Sequence, residues 1–136
     1  MLGFSKSPWI IHYDASSCNG CDIETLACLT PLYDVERFGV VNTGNPKHAD
    51  IFLVTGAVNL QSRDVICNIY HQLPEPKVVV AVGACACSGG IFSECYNIAG
   101  GVDSVVVEGG MSLMTTVNSS RTLILARTFT VPLPSW

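Results

Sequence analysis

Two cysteines stand three residues apart in "DASSCNGCDIETLACLTP": Cys18 and Cys21, just ahead of an acidic, helix-like run. Four chemistries suit such a pair. A thioredoxin-type redox pair sits at a helix start, as this one does, but that fold does not need a second cysteine loop. A structural zinc site wants another close pair, and Cys85 and Cys87 in "CAC" are too tightly spaced to supply it. Two buried cysteines with no shared role is the plainest reading. An iron–sulfur site fits best: thiolates from separate loops, glycines admitting close backbone approach, and an apolar setting.

The second cysteine loop is "GACACSGGIF", residues 83–92. Gly89 and Gly90 permit a positive φ and leave room for a bulky neighbour. Backbone N–H groups in such a loop can reach cluster sulfurs. A phosphate loop is the rival, but the lysine and Ser/Thr of that pattern are absent. Glu24 lies three residues beyond Cys21. Its plain reading is first-turn helix electrostatics; its sharper one is a proton-relay or subunit-contact group. Cys28 and Cys67 fall in apolar, helix-like stretches and are expected to be small buried hydrophobes. His12, His48 and His71 show no ligand spacing, so surface or capping roles are expected. Arg37 and Arg63 are expected to face solvent or a partner.

The whole chain narrows these options. Its 136 residues suit one compact domain. Hydrophobic residues make up 49% and charged residues 13%, half the usual charged share of about 25%. Mean hydropathy is +0.40. The longest apolar runs, such as "KVVVAVGACAC", reach about half of the roughly 20 residues a membrane span needs, and no signal peptide is visible at the start. These features predict a cytosolic subunit whose apolar surface is covered by partner chains. There reduced thiols favour metal or redox chemistry over a disulfide framework for the seven cysteines. The net charge of −4 and the lack of a basic patch argue against nucleic acid.

The elements that must position these thiols read as alternating strands and helices. "WIIHYDA", "ADIFLVTG", "KVVVAVGAC" and "GVDSVVVE" read as strands. "DIETLACLTPLYDVERF" carries Leu26, Leu29, Leu32, Val35 and Phe38 near helical spacing, with Pro31 splitting it and Gly39 ending it. "SRDVICNIYHQL" reads as a helix with Val65, Ile69 and Leu73 along one side. From residue 109 cysteine, acidic residues and helical periodicity are lacking, although "TLILARTFTV" has strand character. The alternation predicts an α/β fold, a three-layer domain with a mostly parallel sheet and right-handed crossovers. Loops after parallel strands converge on one sheet edge, so Cys18, Cys21 and Cys85 are expected to approach each other.

"SPWIIHYDASSCNGCDIE", "HADIFLVTGAV", "PEPKVVVAVGACACSGGIF" and "CYNIAGGVD" together resemble the small subunit of membrane-bound, energy-converting (group 4) [NiFe] hydrogenases. That family is related to the 20 kDa (B-type) subunit of respiratory complex I. The resemblance runs from about Ser7 to Val107. It implies a flavodoxin-like α/β domain over residues 1–108 holding a [4Fe–4S] cluster proximal to a nickel–iron site, with Cys18, Cys21 and Cys85 as metal ligands. Gly89 and Gly90 match the glycine pair near the cluster, and Glu24 an acidic position of the hydrogenase motif. The expected role is electron relay, with no active site on this chain itself. The partners implied are a hydrogenase large (NiFe) subunit, a ferredoxin-like iron–sulfur subunit and membrane subunits, with the complex peripheral at the cytoplasmic face. Complex I subunits carry adjacent cysteines at the first site, so Cys-x-x-Cys favours the hydrogenase branch over a quinone-reducing one. Residues 109–136 depart: the family's "VPGCPPRP"-like segment, with the fourth cysteine, is not found there. An altered reading frame, a substitute ligand such as Cys87 or Cys95, or loss of the cluster with a structural role retained would each account for this. Its abruptness favours the first.

Overall fold

The computed structural model describes residues 7–106 in full and, beyond them, the backbone of strands at Met111–Thr115 and Arg127–Thr128. The strands in chain order are β1 (Trp9–Ser16), β2 (Val41–Asn42), β3 (Ile51–Gly56), β4 (Val58–Asn59), β5 (Val78–Val82), β6 (Ile98–Gly100), β7 (Met111–Thr115) and β8 (Arg127–Thr128). The helices are α1 (Gly20–Ala27), α2 (Leu60–Gln72), α3 (Gly83–Ser88) and α4 (Asp103–Val106). The main sheet runs β2-β1-β3-β5-β7-β8. All its pairs are parallel except β7 with β8. β4 and β6 form a separate antiparallel pair. This is the expected α/β architecture.

Register explains which side chains share a face. Ile11, Phe52 and Val79 lie level across β1, β3 and β5, as do Tyr13, Val54 and Ala81. On that face Ile11, Phe52, Val54, Val79 and Ala81 are buried, and Ile66 and Tyr70 of α2 pack into the same core. α2 begins where Asn59 Oδ1 accepts the Ser62 N–H at 2.7 Å, an N-cap that its sequence allows. Its buried positions are Ser62, Ile66 and Tyr70. The expected stripe is therefore rotated: Val65 is exposed and Ile69 half-buried, while Leu73 past the helix end is buried.

The opposite face is covered more thinly. Ile10, Leu53, Val80 and Val82 line a cavity of about 500 Å³ beneath Thr25 and Tyr33. The run from Asp22 to Phe38 is split as expected around Pro31 and ends at Gly39, but its second piece is only a short 3-10 turn. α1 stops at Ala27, before Pro31, and a short 3-10 turn covers Val35–Phe38. Leu26, Leu32 and Phe38, which lie near helical spacing in the sequence, are exposed.

"GVDSVVVE" is not a strand over its described residues. The Val102 N–H donates to the Ala86 carbonyl (2.8 Å), and α4 follows; residues 107 and 108 lie outside the described residues. Backbone beyond the expected boundary at 108 joins the sheet, since Met111–Thr115 pairs in parallel with β5. Of "TLILARTFTV", only Arg127–Thr128 falls on a described strand.

Candidate functional site

β1 and β5 both end in cysteine-bearing turns at the same edge of the sheet. After β1 the chain folds tightly: Ser17 N–H donates to Asp14 Oδ1 at 2.7 Å, and Asn19 N–H donates to Ser17 Oγ at 3.0 Å. Asn19 takes a left-handed conformation (φ 66°), which asparagine tolerates well. That turn exposes Cys18 and starts α1 with Cys21 in its first turn. After β5, Gly83 opens α3, which carries Cys85.

The two turns meet at the sulfur of Cys21. Gly83 has φ +87°, and a β-carbon placed on it would lie 2.5 Å from Cys21 Sγ. Only glycine satisfies both conditions. Gly90 (φ +56°) does the same for Cys85: a β-carbon there would lie 3.0 Å from Cys85 Sγ. Gly89 is the left-handed cap of α3. Burial pushes the Cys21 thiol up, and the charges of Cys18, Glu24, Cys85 and Asp22 push it further. Cys18, Cys21 and Cys85 thus lie within electrostatic reach of one neighbourhood, centred on Cys21, with Glu24 exposed beside them.

The remaining thiols are elsewhere. Cys87 is half-buried against the core and donates to the Ala81 carbonyl at 3.7 Å; burial, then Asp103 and Cys21, raise its pKa. Cys67 is partly buried on α2. Cys95 is exposed, and so is Cys28, contrary to the buried role expected of it, because α1 turns that side outward.

Among the described residues no group of three or more His, Cys, Asp or Glu side chains is close enough to enclose a metal ion. Donors to one ion crowd within about 2.3 Å of it, whereas thiolates on a cubane bind separate irons and stand wider apart.

A polar network that short-range spacing does not reveal sits beneath the loop. Asp22 is 7% exposed. Its carboxylate accepts from Ser17 Oγ and Thr55 Oγ1, and His12 Nε2 stands 2.9 Å from Oδ1. His12 Nε2 is also 3.2 Å from Thr55 Oγ1. Burial alone would raise the Asp22 pKa, but the Ser17 and Thr55 hydrogen bonds and His12 outweigh it, leaving the carboxyl below its ordinary value. His12 thus departs from the surface or capping role its spacing suggests. It is drawn inward because the register of β1 on β3 sets it close to Thr55.

Large apolar side chains on the segments that carry the cysteines are exposed. Ile23 is 66%, Leu26 47%, Ile91 88% and Tyr96 98% exposed. Exposed apolar side chains of this size suit an interaction surface.

A parallel α/β sheet with a cysteine-lined edge defines the class, and comparison with known proteins defines the family. The chain belongs to the NADH ubiquinone oxidoreductase 20 kDa subunit family, whose model matches residues 18–119. It is 55% identical over 89 residues to the Pyrococcus furiosus protein named "Probable membrane-bound hydrogenase subunit mbhJ", covering 65% of this chain and 53% of that one. It is 44% identical over 101 residues to formate hydrogenlyase subunit 7 of Escherichia coli, covering 74% of this chain and 40% of that one. An NADH-quinone oxidoreductase subunit of Citrifermentans bemidjiense is 42% identical over 86 residues, covering 63% and 50%. The chain thus spans about half the length of these relatives. Among solved structures, a chain of the membrane-bound sulfane sulfur reductase, an archaeal respiratory membrane complex, superposes with a TM-score of 0.69 at 32% identity, over 88% of this chain and 64% of that one. The Ni-Fe-Se hydrogenase of Desulfomicrobium baculatum shares the fold, with a TM-score of 0.58 at 15% identity over 82% and 56%.

Proposed function

We propose that this chain is the electron-transfer small subunit of an energy-converting [NiFe] hydrogenase complex. The observation that carries the reading is the seat of the Cys21 sulfur against Gly83, which joins the Cys18–Cys21 turn to the Cys85 turn. Cys18, Cys21 and Cys85 would hold a [4Fe–4S] cluster. Such a cluster, when bound, supplies a one-electron relay. The chain's own residues set its place: Gly83 and Gly90 let backbone close on the sulfurs, and Gly89 turns the chain back beside them. The apolar rim of Ile23, Leu26, Ile91 and Tyr96 would exclude water and dock the large subunit, with Glu24 at the same margin. A ferredoxin-like subunit and membrane subunits complete the assembly. No helix among the described residues is long and apolar enough to cross a membrane, so attachment would be peripheral, through those partners, on the cytoplasmic side.

A cluster-free structural role in the same complex is the second reading. It is favoured by the gathering of three thiols, not four, among the described residues. Iron and sulfide counted per chain in the purified complex separate the two. In the cluster-bearing case, Cys21→Ser abolishes the low-temperature EPR signal of the reduced subunit, and an unchanged signal defeats the assignment. A quinone-reducing role, as in NADH-quinone oxidoreductase, is tested by comparing hydrogen-dependent dye reduction with quinone reduction.

A further inference from the structure

α1 carries Cys21, yet it does not bury an apolar stripe. Its one buried residue is Asp22, while Ile23 and Leu26 face outward. Helices of this size are ordinarily held to a sheet by burying a hydrophobic face, since eight residues have little intrinsic helical stability. Here the attachment is polar. The Asp22 carboxylate reaches down to the sheet and accepts from Thr55, which is fully buried at the end of β3. It accepts from Ser17 in its own turn, and His12 of β1 stands 2.9 Å away. The Ser17 hydroxyl that donates to Asp22 also accepts the Asn19 N–H at 3.0 Å, so the turn between the two cysteines is tied into the same network.

We infer that Asp22 is a positioning residue: its buried carboxylate clasps the Cys18–Cys21 turn to β1 and β3 and thereby fixes Cys21 opposite the Cys85 turn. This rests on the cluster reading for its purpose, but not for its existence. The clasp acts through hydrogen bonds from Ser17 and Thr55, so removing either donor leaves a carboxylate partly unpaired in a buried place. That loss is felt first in the turn and the short helix that the carboxylate ties to the sheet.

The test uses the full chain as purified and three variants. Thr55→Val keeps the shape of the side chain and removes its hydroxyl. Thr55→Ser keeps the hydroxyl. Ser17→Ala removes the other donor from a half-buried position where folding is less at risk. Amide hydrogen exchange is read at residues 19–24 and, as a reference, at residues 66–70 of α2. The expected result is roughly tenfold or greater acceleration at 19–24 in Thr55→Val and Ser17→Ala, little change in Thr55→Ser, and none at 66–70 in any of them, as local opening requires. Acceleration spread equally over both segments would reduce Asp22 to a general stabiliser and overturn the inference, as would unchanged exchange at 19–24. The second readout is the rate of iron release to a chelator, expected to rise with exchange in Thr55→Val and recover in Thr55→Ser. Iron-free wild-type protein defeats the cluster reading alone, because the exchange measurement still decides whether the clasp exists.

Discussion

The sulfur of Cys21 occupies the space where a side chain on Gly83 would begin, 2.5 Å from the position of its missing β-carbon. Two segments 62 residues apart in sequence therefore touch at a single sulfur atom (83 minus 21). Gly83→Ala is expected to cost about 1–3 kcal/mol through its positive φ alone. It also forces Cys21 Sγ to move. Urea denaturation reports the first effect. The second shows as loss of iron from the purified complex at temperatures where the variant is still folded, and full iron retention would mean that Cys21 tolerates displacement.

The seven cysteines divide by position, and their variants are expected to divide the same way. Cys28 is exposed at the C-terminal cap of α1, with its thiol turned back toward the Glu24 carbonyl (3.4 Å). Cys28→Ser should change stability by no more than about 0.5 kcal/mol, as for most surface substitutions, and should leave iron content as in the wild type. Cys87→Ala is different. Its sulfur packs beside the core, so it should lower the melting temperature, and iron should be retained at temperatures where the fold survives. Loss of iron from folded Cys87→Ala protein would make that thiol a ligand.

Phe52 is the largest of the fully buried side chains and lies on β3, the strand between β1 and β5. Phe52→Ala should destabilise the fold by about 3–5 kcal/mol, measured by chemical denaturation. A loss of less than about 1 kcal/mol would mean that the face carrying Ile11, Phe52 and Val79 is not the core.

The features legible in the sequence are those with a short period. β-branched runs mark β3 and β5, the Cys-x-x-Cys turn follows β1 as expected, and alternation of strands with helices points to the parallel sheet. Helix faces are harder to read. Val65 and Ile69 look like a core stripe, but the sheet takes Ser62, Ile66 and Tyr70 because the Asn59 cap sets the phase of α2. The stripe from Leu26 to Phe38 misleads for another reason: Pro31 ends the helical path, and the apolar residues stay outside, as a protein's docking surface would require. Least legible is the network under the cysteine turn. Asp22 and Thr55 are 33 residues apart, and only the register of β1 on β3 brings His12 to them.

Tyr70 offers a probe of the α2 face that is remote from the cysteines. It is buried, with Lys77 Nζ 4.0 Å from its ring centroid. Burial first, and then the Glu75 carboxylate, hold its phenol above the ordinary value of 10.0. A phenol that ionises less readily in the folded chain contributes stability that is complete below the unfolded value and is lost as the pH rises through the folded one. The wild-type protein should therefore lose stability to urea as the pH climbs above about 10. Tyr70→Phe cannot ionise and should lose less over the same interval, although removal of the hydroxyl lowers or leaves unchanged its stability at neutral pH. Equal alkaline losses in the two proteins would show that the phenol is as free to ionise in the fold as in the unfolded chain, and that α2 does not seal this face of the sheet.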